Sequence, residues 1–178
     1  PCVKPSCYCH DLEKNESEGN LRAAEIELGN VFDLGWSKEE LARHQSEDPD
    51  FALIHKAMRQ GQSKPPWEEI ALQSEGAKTL WHQWERIAMK VDVLYRRWYS
   101  VSGTEVNWQV ILPSALRKGF VQQVHEGMTG GHLAPKKTQE QVSRRAYWPG
   151  WKVEVARALK ACAPCAQYHR GGPPRLAP

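Results

Sequence analysis

The 178-residue sequence has no apolar run approaching the roughly 18 residues that a membrane-spanning helix requires. No basic-then-apolar stretch opens it either, so neither a membrane partner nor a secretory leader is expected. No internal repeat is present, which excludes solenoid and propeller architectures. Carboxylates are scarce in the last third. After position 113 there are only Glu126, Glu140 and Glu154, and none follows Glu154. Chemistry that needs paired metal-holding carboxylates therefore has no candidate there, and the acids further upstream show no paired pattern. Cysteine is sparse and odd in number: Cys2, Cys7 and Cys9 near one end, Cys162 and Cys165 near the other. Two tight groups with an odd total do not make a secreted disulfide framework. They fit metal binding in a reducing compartment.

What is present is apolar material for a core and an uneven distribution of charge. The 40% hydrophobic content and eight tryptophans argue against a wholly disordered chain. The overall net charge of +3 divides into −5 over residues 1–113 and +8 over residues 114–178. Such asymmetry suggests two modules, the basic one facing an anionic partner.

The expected fold is mainly α with a small β-hairpin: a helical extension followed by a zinc-stabilised three-helix module. Residues 1–35 read as an acidic, Cys-containing linker, with a helix conceivable around Leu21–Leu28. Residues 36–112 read as a helical extension that ends in a hairpin. Ser37 and Glu40 have capping-box spacing. Asp48-Pro49 suggests a helix start with Pro at its first position. Phe51, Ile54 and Met58 recur about once per turn, and so do Leu80, Trp81, Trp84 and Ile87 beyond a cap at Ser74. These aromatics read as core packing rather than as a stacking surface for bases. The period then changes to two. Val91, Val93 and Tyr95, then Trp108, Val110 and Leu112, alternate with other residues on either side of Ser102-Gly103. Residues 113–170 return to helices over 114–126, 135–146 and 151–161, and 171–178 read as a Gly/Pro linker.

The chemistry lies in residues 113–170. His125 and His132 are separated by six residues; 29 residues later come Cys162 and Cys165, separated by two. A structural Zn²⁺ takes four N or S ligands at tetrahedral corners, and Cys-x-x-Cys brings two sulfurs to one ion. The intervening segment has little apolar surface, so a metal would supply the folding energy that packing does not. The alternative is two unrelated histidines and two free thiols. Cys2, Cys7, Cys9 and His10 could hold a second Zn²⁺, although Cys-x4-Cys-x-Cys-His is an irregular spacing; unligated linker thiols are the alternative there.

The same stretch reads His125-Glu-Gly-Met-Thr-Gly-Gly-His132-Leu-Ala-Pro-Lys-Lys-Thr138, then Tyr147-Trp-Pro-Gly150, then Cys162-Ala-Pro-Cys165. It resembles the zinc-binding amino-terminal domain of Ty3/gypsy-type retrotransposon integrases. Val93-Leu-Tyr-Arg-Arg-Trp98, Gln109-Val-Ile-Leu-Pro113, Asp48-Pro-Asp50 and Lys78-Thr-Leu-Trp-His-Gln-Trp84 extend the likeness upstream. Pro1-Cys2 with Cys7 and Cys9 resembles the junction after the RNase H domain of such polyproteins. The resemblance implies His125, His132, Cys162 and Cys165 as ligands of one Zn²⁺. It also implies self-association of the integrase on DNA ends and residence in the nucleus. Three positions depart from the family pattern: Ala134 where Gly often stands, Val91-Asp92 in place of Asp-Gly, and Trp151 in place of Met.

The resemblance also implies that the catalytic core lies elsewhere in a polyprotein, so that this chain is a non-catalytic module of a DNA recombinase. Lys136, Lys137, Arg144, Arg145, Lys152, Arg157, Lys160 and Arg170 are the candidate contacts to double-stranded DNA, by phosphate neutralisation with little base reading. The alternatives are a solvated basic face and a host-adopted, zinc-stabilised protein-interaction module without integration activity. A zinc enzyme is disfavoured, because a full His2Cys2 set leaves no open coordination position.

Overall fold

A computed structural model describes residues 35–99, 106–127 and 131–168. The expected helix near Leu21–Leu28, the Ser102-Gly103 turn, Arg170 and the Cys2, Cys7, Cys9 and His10 cluster all lie outside the described residues.

The helical extension begins as its capping box dictates. Helix α1 spans Lys38–Glu47. The Glu40 amide donates to Ser37 Oγ at 3.1 Å, and the Ser37 amide donates to Glu40 Oε2 at 2.9 Å. The next helix does not start at Pro49. Helix α2 spans Ala52–Arg59 with Phe51 at its N-cap. The Asp48 carboxylate, expected as a helix cap, is used in a turn and across the fold instead. It accepts from the Asp50 amide at 2.9 Å and from the Ser114 amide at 2.6 Å. Helix α3 (Trp67–Ile70) and helix α4 (Glu75–Trp81) follow, the latter capped by Ser74 Oγ on the Ala77 amide.

The apolar stripe Leu80, Trp81, Trp84 and Ile87 is not one helix. α4 ends at Trp81, a 3₁₀ turn covers Trp84–Arg86, and Ile87 opens a strand. Periodicity alone cannot separate a continuing helix from a chain that turns and finds a strand partner, and here cross-strand pairing overrides the local pattern.

The sheet has four strands in the order β1 (Ile87–Lys90), β2 (Val93–Tyr99), β3 (Val106–Ile111), β4 (Ala146–Tyr147). The β2–β3 hairpin is the one the alternation predicts. β1 pairs antiparallel with β2, and β4 pairs parallel with β3, Val110 facing Ala146. Ala146 thus leaves the helix expected over 135–146, and Tyr147 continues the strand opposite Ile111. The two-residue turn between β1 and β2 is Val91-Asp92, with φ of +50° and +58°. Both values suit Asn-Gly, and a β-branched Val there costs roughly 1 kcal/mol or more. The departure from Asp-Gly is therefore a real strain.

Four helices complete the described residues: α5 (Ser114–Glu126), α6 (Pro135–Arg145), α7 (Trp151–Lys160) and α8 (Ala163–Tyr168). The last was not anticipated. Gly150 takes φ +78° immediately before α7, a left-handed conformation that glycine adopts without a Cβ clash. Trp151 follows it as the first residue of α7, half-buried against the core.

One buried cluster runs from Leu41, Phe51 and Ile54 through Leu94 and Ile111 to Phe120, Trp148 and Leu159, crossing position 112. Polar side chains lock it. Buried Gln45 accepts from the Leu94 amide at 2.7 Å and donates to the Leu94 and Ile111 carbonyls at 3.1 and 2.6 Å. It closes the end of the β2–β3 ladder where no further strand residue pairs. No helix among the described residues is long and apolar enough to cross a membrane.

Candidate metal centre

His125 is carried by the last turn of α5, His132 by the segment just before α6, Cys162 by the end of the α7 turn and Cys165 by α8. The fold brings these four together: one ligand atom from each, all within 4.8 Å of one another. His125 is buried and the other three are half-buried. His125 Nε2 lies 3.2 Å from Cys165 Sγ and 3.3 Å from His132 Nδ1, and His132 Nδ1 lies 3.5 Å from Cys162 Sγ.

These distances test whether a zinc ion fits. Zn–N near 2.0 Å and Zn–S near 2.3 Å imply tetrahedral edges of about 3.3 Å for N···N and about 3.5 Å for N···S. The contacts of 3.3, 3.2 and 3.5 Å match that polyhedron. Two ring nitrogens and two sulfurs converging on one point are four electron-pair donors without a shared acceptor, which is what one soft, tetrahedral cation supplies. The group could hold one zinc ion. Partial burial, together with the neighbouring Cys162 sulfur, raises the Cys165 thiol above its ordinary range. A bound cation reverses that preference, since metal ligands bind as thiolates.

The local backbone explains the orientation of His125. Leu133 holds it twice. The Leu133 amide donates to the His125 carbonyl at 2.7 Å, and the His125 Nδ1–H donates to the Leu133 carbonyl at 3.0 Å. With Nδ1 as donor, Nε2 is left with its lone pair toward the other ligands. The fully buried Thr138 hydroxyl donates to the same carbonyl at 3.0 Å and sits 3.4 Å from His125 Nδ1. The reversal of chain direction that makes this possible places His132 at φ +35°. Ala134, by contrast, has φ −51° and ψ 148°, which any residue adopts, so the absence of glycine there strains nothing.

Thr138 and the Leu133 carbonyl are the members of this site that motif spacing does not single out. Thr138 stands at the end of Lys-Lys-Thr, but only the turn before α6 reveals why a hydroxyl belongs there. Thr138→Val, which keeps the shape and removes the hydroxyl, is expected to weaken zinc binding about tenfold, at the lower end of such orienting contacts. Competition against a chelator of known affinity measures this.

The basic candidates distribute over two helices. Lys136 and Lys137 are exposed in the first turn of α6. Arg144 and half-buried Arg145 are in its last turn, and Lys152, Arg157 and Lys160 are exposed along α7. Arg144 is partly neutralised by Glu140 at 2.7 Å. Lys160 lines the cleft that also contains His125, His132 and Cys165, so the last cation of α7 borders the metal group.

Residues 112–170 match a family model described as the integrase zinc binding domain, and all four converging residues fall inside the match. No curated protein and no solved structure matches the chain.

Proposed function

We propose that the integrase zinc-binding module of residues 112–170 holds one structural Zn²⁺ through His125, His132, Cys162 and Cys165, and that the chain serves as a DNA-binding and assembly module of a Ty3/gypsy-type retroelement integrase. The observation that carries this reading is the coincidence of the family match with four ligand atoms within 4.8 Å of one another. Four protein ligands leave no open position on a tetrahedral ion, so the metal's contribution is folding and rigidity rather than chemistry on a substrate. The strand-transfer chemistry belongs to a carboxylate core that residues 113–178 do not supply, having only three dispersed acids.

Exposed cations on α6 and α7 would then meet phosphates of duplex DNA, in the nucleus, while self-association of the integrase brings two DNA ends together. A scaffold that presents lysine and arginine along two helix surfaces offers charge to the phosphate backbone, which positions a duplex without reading its sequence. The salt dependence of duplex binding tests the idea. Four or five phosphate contacts predict a slope of log K against log salt of about −4, and the Lys136→Gln, Lys137→Gln double variant should reduce its size by about 2. A slope near zero would contradict DNA binding and leave a host-adopted protein-interaction module as the reading of the zinc-stabilised fold.

A further inference from the structure

Cys162 and Cys165 are the only cysteines among the described residues, and both are free and half-buried rather than sealed. Each lines a cleft of its own. Cys165 opens onto one of about 320 Å³ beside Leu133, Pro135 and Lys160, and Cys162 onto another of about 410 Å³ beside Lys118, Gln122 and Glu126. Either cleft admits a solute little larger than water. The two sulfurs lie within 4.8 Å of each other. The Ala166 amide donates to the Cys162 carbonyl at 3.0 Å, so Cys162 stands in the turn that leads into α8. Positions three apart on such a turn have Cα atoms about 5 Å apart, within the roughly 4.4–6.8 Å that a disulfide spans. A disulfide there needs side-chain rotation, not a rebuilt backbone. Among the described side chains of α8, Cys165 alone is withdrawn from solvent, so that sulfur is the helix's side-chain tie to the rest of the fold.

We propose that this pair is an oxidative modification site whose oxidant is a hydroperoxide, and that its product, a Cys162–Cys165 disulfide, releases the zinc and with it the fold of α6–α8. The inference rests on the zinc assignment above. Ligating sulfurs are thiolates, and thiolates rather than imidazoles are what a peroxide oxidises. With hydrogen peroxide, one sulfur attacks a peroxide oxygen: an S–O bond forms, the O–O bond breaks and hydroxide leaves. The other sulfur, within 4.8 Å, then attacks the first: the S–S bond forms, the S–O bond breaks and a second hydroxide leaves. Two electrons pass from sulfur to peroxide, and two protons from solvent turn the hydroxides into water. A disulfide is no longer a thiolate donor, which leaves His125 and His132, half of the set that a structural zinc requires. α6 buries only Thr138 and Val142, and α7 only Val155 and Leu159, so these helices lose their order with the metal. Their cations are then no longer presented together to duplex phosphates.

The test treats the zinc-loaded full chain with hydrogen peroxide and follows three readouts: zinc release to a metal-binding dye, helical circular dichroism, and the mass of the tryptic peptide 161–170. That peptide, bounded by Lys160 and Arg170, contains Cys162 and Cys165 and no other cysteine. Zinc release and loss of helical signal should proceed at the rate at which the peptide loses two hydrogens, and dithiothreitol with added zinc should reverse all three. The Cys2→Ser, Cys7→Ser, Cys9→Ser triple variant should respond at the parental rate and release one zinc per chain. The inference is overturned if zinc stays bound and the peptide stays reduced under peroxide that oxidises Cys2, Cys7 or Cys9. It is overturned as well if the peptide gains oxygen instead of losing hydrogen, or if the triple variant no longer releases zinc. Each of these results leaves the zinc assignment standing. A chain that carries no zinc before peroxide is added overturns that assignment and this inference together.

Discussion

Removing zinc with a strong chelator should abolish most of the helical circular dichroism of α6–α8, and adding zinc back should restore it. The packing of this region explains why. α6 buries only Thr138 and Val142, and α7 buries only Val155 and Leu159. In α8 the Cys165 side chain is half-buried and its other described side chains are exposed. Burying one or two aliphatic side chains contributes about 2–3 kcal/mol each, too little to offset ordering ten residues per helix at about 1–2 kcal/mol of backbone entropy each. Zinc in comparable small modules contributes about 10–16 kcal/mol, as large as the whole stability of a typical domain. Cys162→Ser and Cys165→Ser should each reproduce the effect of chelation. The helices around Leu41, Phe51 and Ile54 have their own apolar contacts and should lose less, so hydrogen exchange should rise first in 131–168.

Trp148→Ala should destabilise the zinc-loaded chain by about 3–5 kcal/mol, read as a lower urea midpoint. Trp148 is the largest fully buried side chain among the described residues. It meets the Phe120 ring edge-to-face at 6.4 Å, and its Nε1–H donates to Glu154 Oε2 at 2.7 Å. That carboxylate also lies 3.7 Å from Arg117, whose side chain is only 11% exposed and packs over both Phe51 and Trp148. Arg117 faces Asp50 at 3.7 Å as well, so one cation joins the α2 region, α5 and α7. Truncating Trp148 opens a cavity and removes the donor that orders Glu154. Trp148→Phe separates the two effects: it retains most of the volume and should cost about 1–2 kcal/mol.

The metal group was legible in the sequence because its ligands are chemically rare and lie at fixed spacing. The hairpin was legible because alternation about a glycine-containing turn has few other meanings. Three features were not legible, each for its own reason. Ile87–Lys90 continues a helical stripe, and only pairing with the strand that follows it, Val93–Tyr99, makes it β1. Ala146–Tyr147 is too short to show a period, and the parallel pairing with Val110 and Ile111 decides it. Asp48 looks like a helix cap, but its carboxylate is taken by the Asp50 and Ser114 amides. The same non-local logic makes Gln45 and Thr138 important. Each is a polar residue inside an amphipathic helix, and what it touches is far away in sequence or across a turn.

Cobalt titration of the metal-free chain puts the His2Cys2 centre to its most direct test. One equivalent of Co²⁺ should produce the intense visible bands of a tetrahedral, thiolate-bound ion, saturate at one ion per chain, and be displaced by Zn²⁺. The His125→Ala and Cys162→Ser variants should lose that spectrum. A pale octahedral spectrum, or an intense one that survives both substitutions, would contradict the centre formed by His125, His132, Cys162 and Cys165.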